Sequence, residues 1–163
     1  MQTHKIVSRE EWIAARRALL EKEKAHLRAQ DEIARQRREL PWVKVEKNYL
    51  FEGPDGRETL ADLFAGRSQL IVQHFMFGPD WEQGCVGCSF GADQVDGSLV
   101  HLVNHDVMLV AVSRAPYARI APFHQRMGWR FKWVSSAGTD FNFDYNVSFS
   151  EADRARGKVF YNF

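Results

Sequence analysis

The sequence is poor in cysteine: 163 residues carry only Cys85 and Cys88. That excludes a disulfide-stapled scaffold. No apolar run approaches the ~20 residues of a membrane span. The opening Met1-Gln2-Thr3-His4-Lys5 lacks the apolar core of a signal peptide. A cytoplasmic, reducing compartment is expected, where a disulfide is usually transient and catalytic. The net charge is only +1, so the overall balance favours neither nucleic acid nor an anionic membrane. There is no Gly-rich phosphate loop, and Ser89 and Ser113 have no nucleophile-elbow context. No proline follows Pro122, and no internal repeat is present.

What is present is a soluble globular composition, 45% hydrophobic and 26% charged, long enough for one domain with a sizeable core. Aromatics reach 13%, so a core or pocket rich in Phe and Trp is expected. Ser8 and Glu11 form a capping-box pattern, and a helix-forming run continues to Leu40, ended by Pro41. Its apolar residues recur seven apart, from Trp12/Ile13 through Leu19/Leu20 and His26/Leu27 to Ile33/Ala34. This narrow stripe suits packing on the domain or on a partner's domain better than a free coiled coil. The expected division is a helical extension at 1–41 and an α/β domain at 42–163.

Within that domain Val43 to Phe51 reads as a strand and Gly53-Pro54-Asp55-Gly56 as a turn. Thr59 to Phe64 reads as a short helix closed by Gly66. Leu70 to Phe77 is a strand buried on both faces. A helix from the cysteines to about Asn104 follows, then a strand over Asp106–Ser113. A helix beginning at Pro116 and stopping at Gly128, and a strand over Trp129–Ser135, complete a β-α-β-α-β order. That order implies a parallel core with helices on both faces.

Cys85-Val86-Gly87-Cys88 sits at the first strand-to-helix turn of this pattern, which is the context of a redox pair. The thiolate is the attacking species, and a helix start lowers a thiol pKa through its unsatisfied N–H groups. Cys85 is therefore the expected nucleophile, with Cys88 one turn later as the resolving thiol. Arg114, right after the strand ending at Ser113, is a candidate to stabilise the thiolate, or a surface ion-pair partner. Trp81 is a candidate wall of the site. Asp80 and Glu82 would raise the thiol pKa if close, or accept protons. No organic cofactor is called for.

A rival pattern uses the same cysteines. Cys85, Cys88, His101 and His105 match C-x2-C-x12-H-x3-H, a zinc-finger spacing. Its context opposes it, because one helix after Cys88 would carry His101 about 20 Å away. The two histidines are expected to be half-buried polar residues instead.

Several blocks carry a family resemblance. They are Gly56 to Phe64, His74 to Phe77, Cys85 to Phe90, Ser113 to Pro116, Arg126 to Trp129, Trp133 to Ser136 and Asp140 to Asn142. Together they resemble domain-of-unknown-function family 899, a thioredoxin-like group described as predicted dithiol–disulfide oxidoreductases. The resemblance implies a thioredoxin-like three-layer sandwich, with Cys85 as nucleophile and Cys88 as resolving residue. The Gly56–Phe64 block is also similar to peroxiredoxin-like domains, but Gly78 and Glu82 stand where those carry Pro and Thr or Ser. A thioredoxin-like domain continues with a cis-Pro and a C-terminal hairpin. Here the hairpin is expected to be missing, with the chain ending near Phe160-Tyr161-Asn162-Phe163. The implied activity is exchange with a protein or small-molecule disulfide, using an external reductant. The alternative is a non-catalytic interaction protein, followed by a thiol peroxidase and the zinc site. A homodimer through the 8–40 helix is expected, on the argument that the last strand would expose a bare edge.

Overall fold

The computed structural model describes residues 4–157, so Met1–Thr3 and the Phe160–Phe163 segment lie outside the described residues. The chain divides between Glu46 and Lys47 into two compact units. The first holds helix α1, Arg9–Glu39, and its capping box closes in full. The Glu11 N–H donates to Ser8 Oγ at 3.2 Å, and the Ser8 N–H donates to Glu11 Oε2 at 3.0 Å. No residue of α1 is buried. Trp12, Leu19, Leu27 and Ile33 are each about half exposed. Among the described residues, no helix is long and apolar enough to cross a membrane.

The second unit is α/β. Strands β1 (Leu50–Gly53), β2 (Gly56–Thr59), β3 (Gln69–His74), β4 (Val107–Ser113) and β5 (Lys132–Ser135) form one sheet in the order β2-β1-β5-β4-β3. β3, β4 and β5 are mutually parallel, as the alternating pattern implied. Helices α2 (Val86–Asp96) and α3 (Leu99–Asn104) connect β3 to β4, and α4 (Tyr117–Met127) connects β4 to β5. The strands advance in one direction, so right-handed crossovers place all three helices on one face. That face buries an aromatic cluster of Phe75, Phe77, Phe123, Trp129, Phe131 and Trp133. Phe75 and Trp133 have ring centroids 4.3 Å apart, and such pairs add about 0.5–1.5 kcal/mol beyond burial. The opposite face is covered more thinly, by the 3-10 turn Asp62–Phe64, helix α5 (Phe141–Asp144) and Tyr49. Helix α6 (Glu151–Ala155) ends the described chain. A βαβ core with a Cys-x-x-Cys at its first strand-to-helix turn is the thioredoxin-like arrangement.

Several local expectations need correction. Only Leu50 and Phe51 of the Val43–Phe51 segment fall in the strand, which runs Leu50–Gly53, because Val43 and Val45 are exposed and have no partner strand. Thr59 does not start a helix: it pairs with Leu50 across the β1–β2 hairpin, and its N–H and hydroxyl both donate to Asp62. The helix after the cysteines breaks at Gly97-Ser98, where Ser98 Oγ donates to the Val95 carbonyl at 2.7 Å. β5 is not an edge, since β1 pairs with it antiparallel at Glu52–Ser135. The bare edge is the outer side of β3, which pairs only with β4 among the described residues. No strand follows β5 among the described residues.

Candidate active site

Parallel-strand bonding continues beyond β3 and fixes the backbone that carries the site. The Phe75 N–H donates to the Val112 carbonyl, and the Ala115 N–H to the Phe77 carbonyl, both at 2.9 Å. Buried Ser113 donates to the Phe75 carbonyl at 2.7 Å and accepts from Trp133 Nε1 at 2.9 Å. Its hydroxyl thus ties strand ends together and is already occupied. Between Phe77 and the cysteines the chain turns through Gly78 to Gly84. Gly84 is buried so closely that a Cβ there would sit 2.7 Å from the Phe75 ring and 3.1 Å from the Phe123 ring. Glycine at this position lets the chain reach α2.

Cys85 is the N-cap of α2. Its N–H donates to the Met76 carbonyl at 2.9 Å, and the Met76 N–H points to Cys88 Sγ at 3.5 Å. Both cysteines are free thiols, anchored to one residue of the preceding segment. Their environments differ. The Cys88 N–H lowers the Cys85 thiol below its ordinary 9.0, with help from the Cys88 thiol and the Gly87 N–H against a smaller cost of burial. Burial pushes the Cys88 thiol up, with added repulsion from Cys85, partly offset by the Met76 N–H. An attacking thiol and a held-back resolving thiol have this asymmetry.

Beside the pair, across Met76, a cavity of about 280 Å³ opens at the C-terminal ends of β3 and β4. Ligands of open α/β sheets bind at such ends. Trp81 and Arg114 both line it, together with His74, Asn142 and Arg154. The Arg114 guanidinium lies 4.8 Å from the centroid of the Phe143 ring. It is not among the groups that lower Cys85. Glu82 and Asp80 are exposed, and neither lines the cavity. His101 and His105 are exposed, not half-buried. Among the described residues, no three His, Cys, Asp or Glu side chains come together to hold a metal ion, so the zinc-finger spacing is not assembled.

Sequence reasoning missed Gly84, Met76, His74, Asn142 and Arg154. A glycine directly before a helix start was a usable signal for Gly84. The other four come together only through tertiary structure.

A family model described as "Bacterial protein of unknown function (DUF899)" matches residues 1–162. No curated protein matches the chain. Among solved structures, a mutant of PrxQ from Xylella fastidiosa is 14% identical, covering 70% of this chain and 74% of that one at a TM-score of 0.48. A candidate thioredoxin from Neisseria meningitidis is 16% identical, covering 70% and 63% at a TM-score of 0.40. The fold assignment rests on the chain's own topology.

Proposed function

The chain belongs to the DUF899 family, and we propose that it exchanges thiols and disulfides through Cys85 and Cys88. The observation that carries this reading is the opposite displacement of two thiols anchored on one residue, Met76. The Cys85 thiolate attacks one sulfur of a substrate disulfide. The S–S bond breaks, a mixed disulfide forms on Cys85, and the first substrate thiolate leaves with a proton from solvent. Cys88 then loses its proton and attacks the Cys85 sulfur. The second substrate thiol leaves, and the protein holds a Cys85–Cys88 disulfide. Two electrons pass to the substrate, and an external dithiol restores them. Exposed Val86 and Phe90 on α2, with half-exposed Met76 and Trp81, give an apolar collar suited to a disulfide-bearing partner. A reducing compartment is the setting in which this cycle turns over.

Incubating the reduced protein with oxidised glutathione and a peptide disulfide, followed by intact-mass analysis, tests the reading. The expected product is an intramolecular disulfide in the native chain and a trapped mixed disulfide in Cys88→Ser. Equal alkylation of both cysteines by iodoacetamide at neutral pH would sink it.

A second reading is a non-catalytic interaction protein, favoured by the exposed stripe of α1. The same stripe is the proposed contact of a homodimer.

A further inference from the structure

The cavity beside the Cys pair has a chemistry of its own. Arg114 and Arg154 line it, and among the described residues no Asp or Glu does. Neither arginine is in a salt bridge among the described residues. Arg114 follows β4 directly, and its guanidinium is steadied over Phe143. A charge fixed in this way loses little conformational freedom on binding. Asn142 is buried, and its side-chain oxygen accepts from Ser136 Oγ at 2.5 Å. Its amide nitrogen donates to nothing among the described residues, so that donor is free for a ligand at the cavity it lines. The His74 Nδ1 is buried without a partner. Burial lowers the pKa of the ring from its ordinary 6.5, which favours the neutral form. Around these donors stand Phe75, Phe77 and the half-exposed Met76 and Trp81.

We propose that this cavity binds a small organic anion, its carboxylate held by Arg114 and Arg154 and its apolar body seated against Trp81 and Met76. Two guanidiniums lining one cavity with no carboxylate among its described lining residues repel one another, and an anion removes that cost while filling their donor sites. The size argument agrees: about 280 Å³ lies at the low end of ligand pockets, so the occupant is a compact molecule. An inorganic oxyanion would satisfy the arginines and leave the apolar wall wet. A neutral aromatic would leave the arginines unpaired. The proposal is independent of the thiol chemistry, since no step of it uses a cysteine.

The test titrates reduced full-length protein at low salt with benzoate, its neutral isostere benzamide, and inorganic phosphate, by calorimetry and by thermal unfolding. For so small a ligand a dissociation constant near ~1 mM is expected for benzoate. Benzamide and phosphate should each bind at least about tenfold more weakly, since each lacks one half of the recognition. Arg154 is exposed, so Arg154→Gln should keep the fold while weakening benzoate about tenfold. Arg114→Gln should do the same, and Arg114→Lys should recover part of the loss. Equal binding of benzoate and benzamide, binding of phosphate as tight as benzoate, or Arg variants that leave the benzoate titration unmoved would each overturn the proposal.

Discussion

The two sides of the chain after β3 are built from different physics. On the Cys side, no charged side chain besides the cysteines themselves is among the groups that set the thiol pKa values. Backbone N–H groups at the start of α2 lower Cys85, and burial raises Cys88. On the cavity side, two guanidiniums stand over aromatic walls without a carboxylate among the lining residues. Met76 belongs to both: its backbone anchors the two cysteines, and the residue lines the cavity. On the proposed function, reactivity would be set mainly by backbone dipoles, which salt and point mutation scarcely touch, while the proposed anion recognition would be set by side-chain charge, which both alter readily. The two sides should therefore come apart under experiment.

The largest effect falls on the Cys side. Cys85→Ser should reduce disulfide exchange to background, and Cys88→Ser should stall it at the mixed disulfide. Neither variant should move benzoate binding by more than about twofold, less than the ~10-fold of a single lost hydrogen bond to charge. Parallel exchange assays and titrations check this. A Cys variant that abolished benzoate binding would mean the two sides are one site.

Next comes Gly84→Ala, which forces a methyl group into the Phe75 and Phe123 rings. Overpacking of this kind costs about 1–3 kcal/mol, read by denaturant unfolding. The strain falls between Phe77 and α2, so Cys85 should lose reactivity while Arg114, held from β4, keeps its place. Alkylation rate and benzoate affinity measured on one preparation separate these outcomes.

That split also explains what the sequence revealed. The Cys side was legible because a local rule governs it: a strand, a tight turn, then cysteines at a helix start, all within about twenty residues. α1 was equally legible, since Ser8, Glu11 and Pro41 mark its ends locally. The cavity was legible only at Trp81 and Arg114, because His74, Asn142 and Arg154 come from β3, α5 and α6, which meet only in the folded structure. The β1–β2 hairpin was misread for a related reason. Thr59 to Phe64 has helical composition, and only pairing with Leu50 shows that Thr59 belongs to a strand. The bare edge was likewise placed on β5, because nothing local announces that β1 returns to cover it.

Assembly should be separable from both sides. Leu19→Asp or Leu27→Asp places a charge in the exposed stripe of α1 and should shift a homodimer toward monomer in sedimentation at tens of micromolar, where a contact with a dissociation constant of ~1 μM would be filled. Cys85 alkylation and benzoate binding should stay at their native values. A native chain that sediments as a monomer would remove the dimer and leave the comparison intact.

A smaller effect is shared by the two faces of the sheet. His74 stacks on Phe141, and His124 packs against Phe131 and Trp133 on the helical face. Burial lowers both below 6.5. Between 6.5 and those folded values the unfolded chain binds more protons than the folded one. Stability is therefore full above pH 6.5 and declines as the pH falls toward the folded values, an effect that partial exposure keeps small. Thermal unfolding from pH 7.5 to 5 should show this slope, and His124→Gln should flatten it. A midpoint that rises on acidification would contradict the assignment of both rings as neutral.

The smallest expected effect is the sharpest test of the comparison. Arg114 stands just past the end of β4, where sequence position alone makes it a candidate to stabilise the Cys85 thiolate. Its guanidinium instead lies over Phe143 and lines the cavity. If the α2 backbone N–H groups and the Cys88 thiol lower Cys85 without help from Arg114, then Arg114→Gln should shift the midpoint of its alkylation–pH profile by less than about 0.3 pH units, or roughly 0.4 kcal/mol. The same substitution should cost benzoate about tenfold. Raising salt to ~1 M, where the Debye length falls to ~3 Å, should mimic the second effect and leave the first untouched. A midpoint that rose by a full pH unit in Arg114→Gln would show that the charge reaches the thiolate. The cavity and the cysteines would then be a single electrostatic site, with Arg114 serving both.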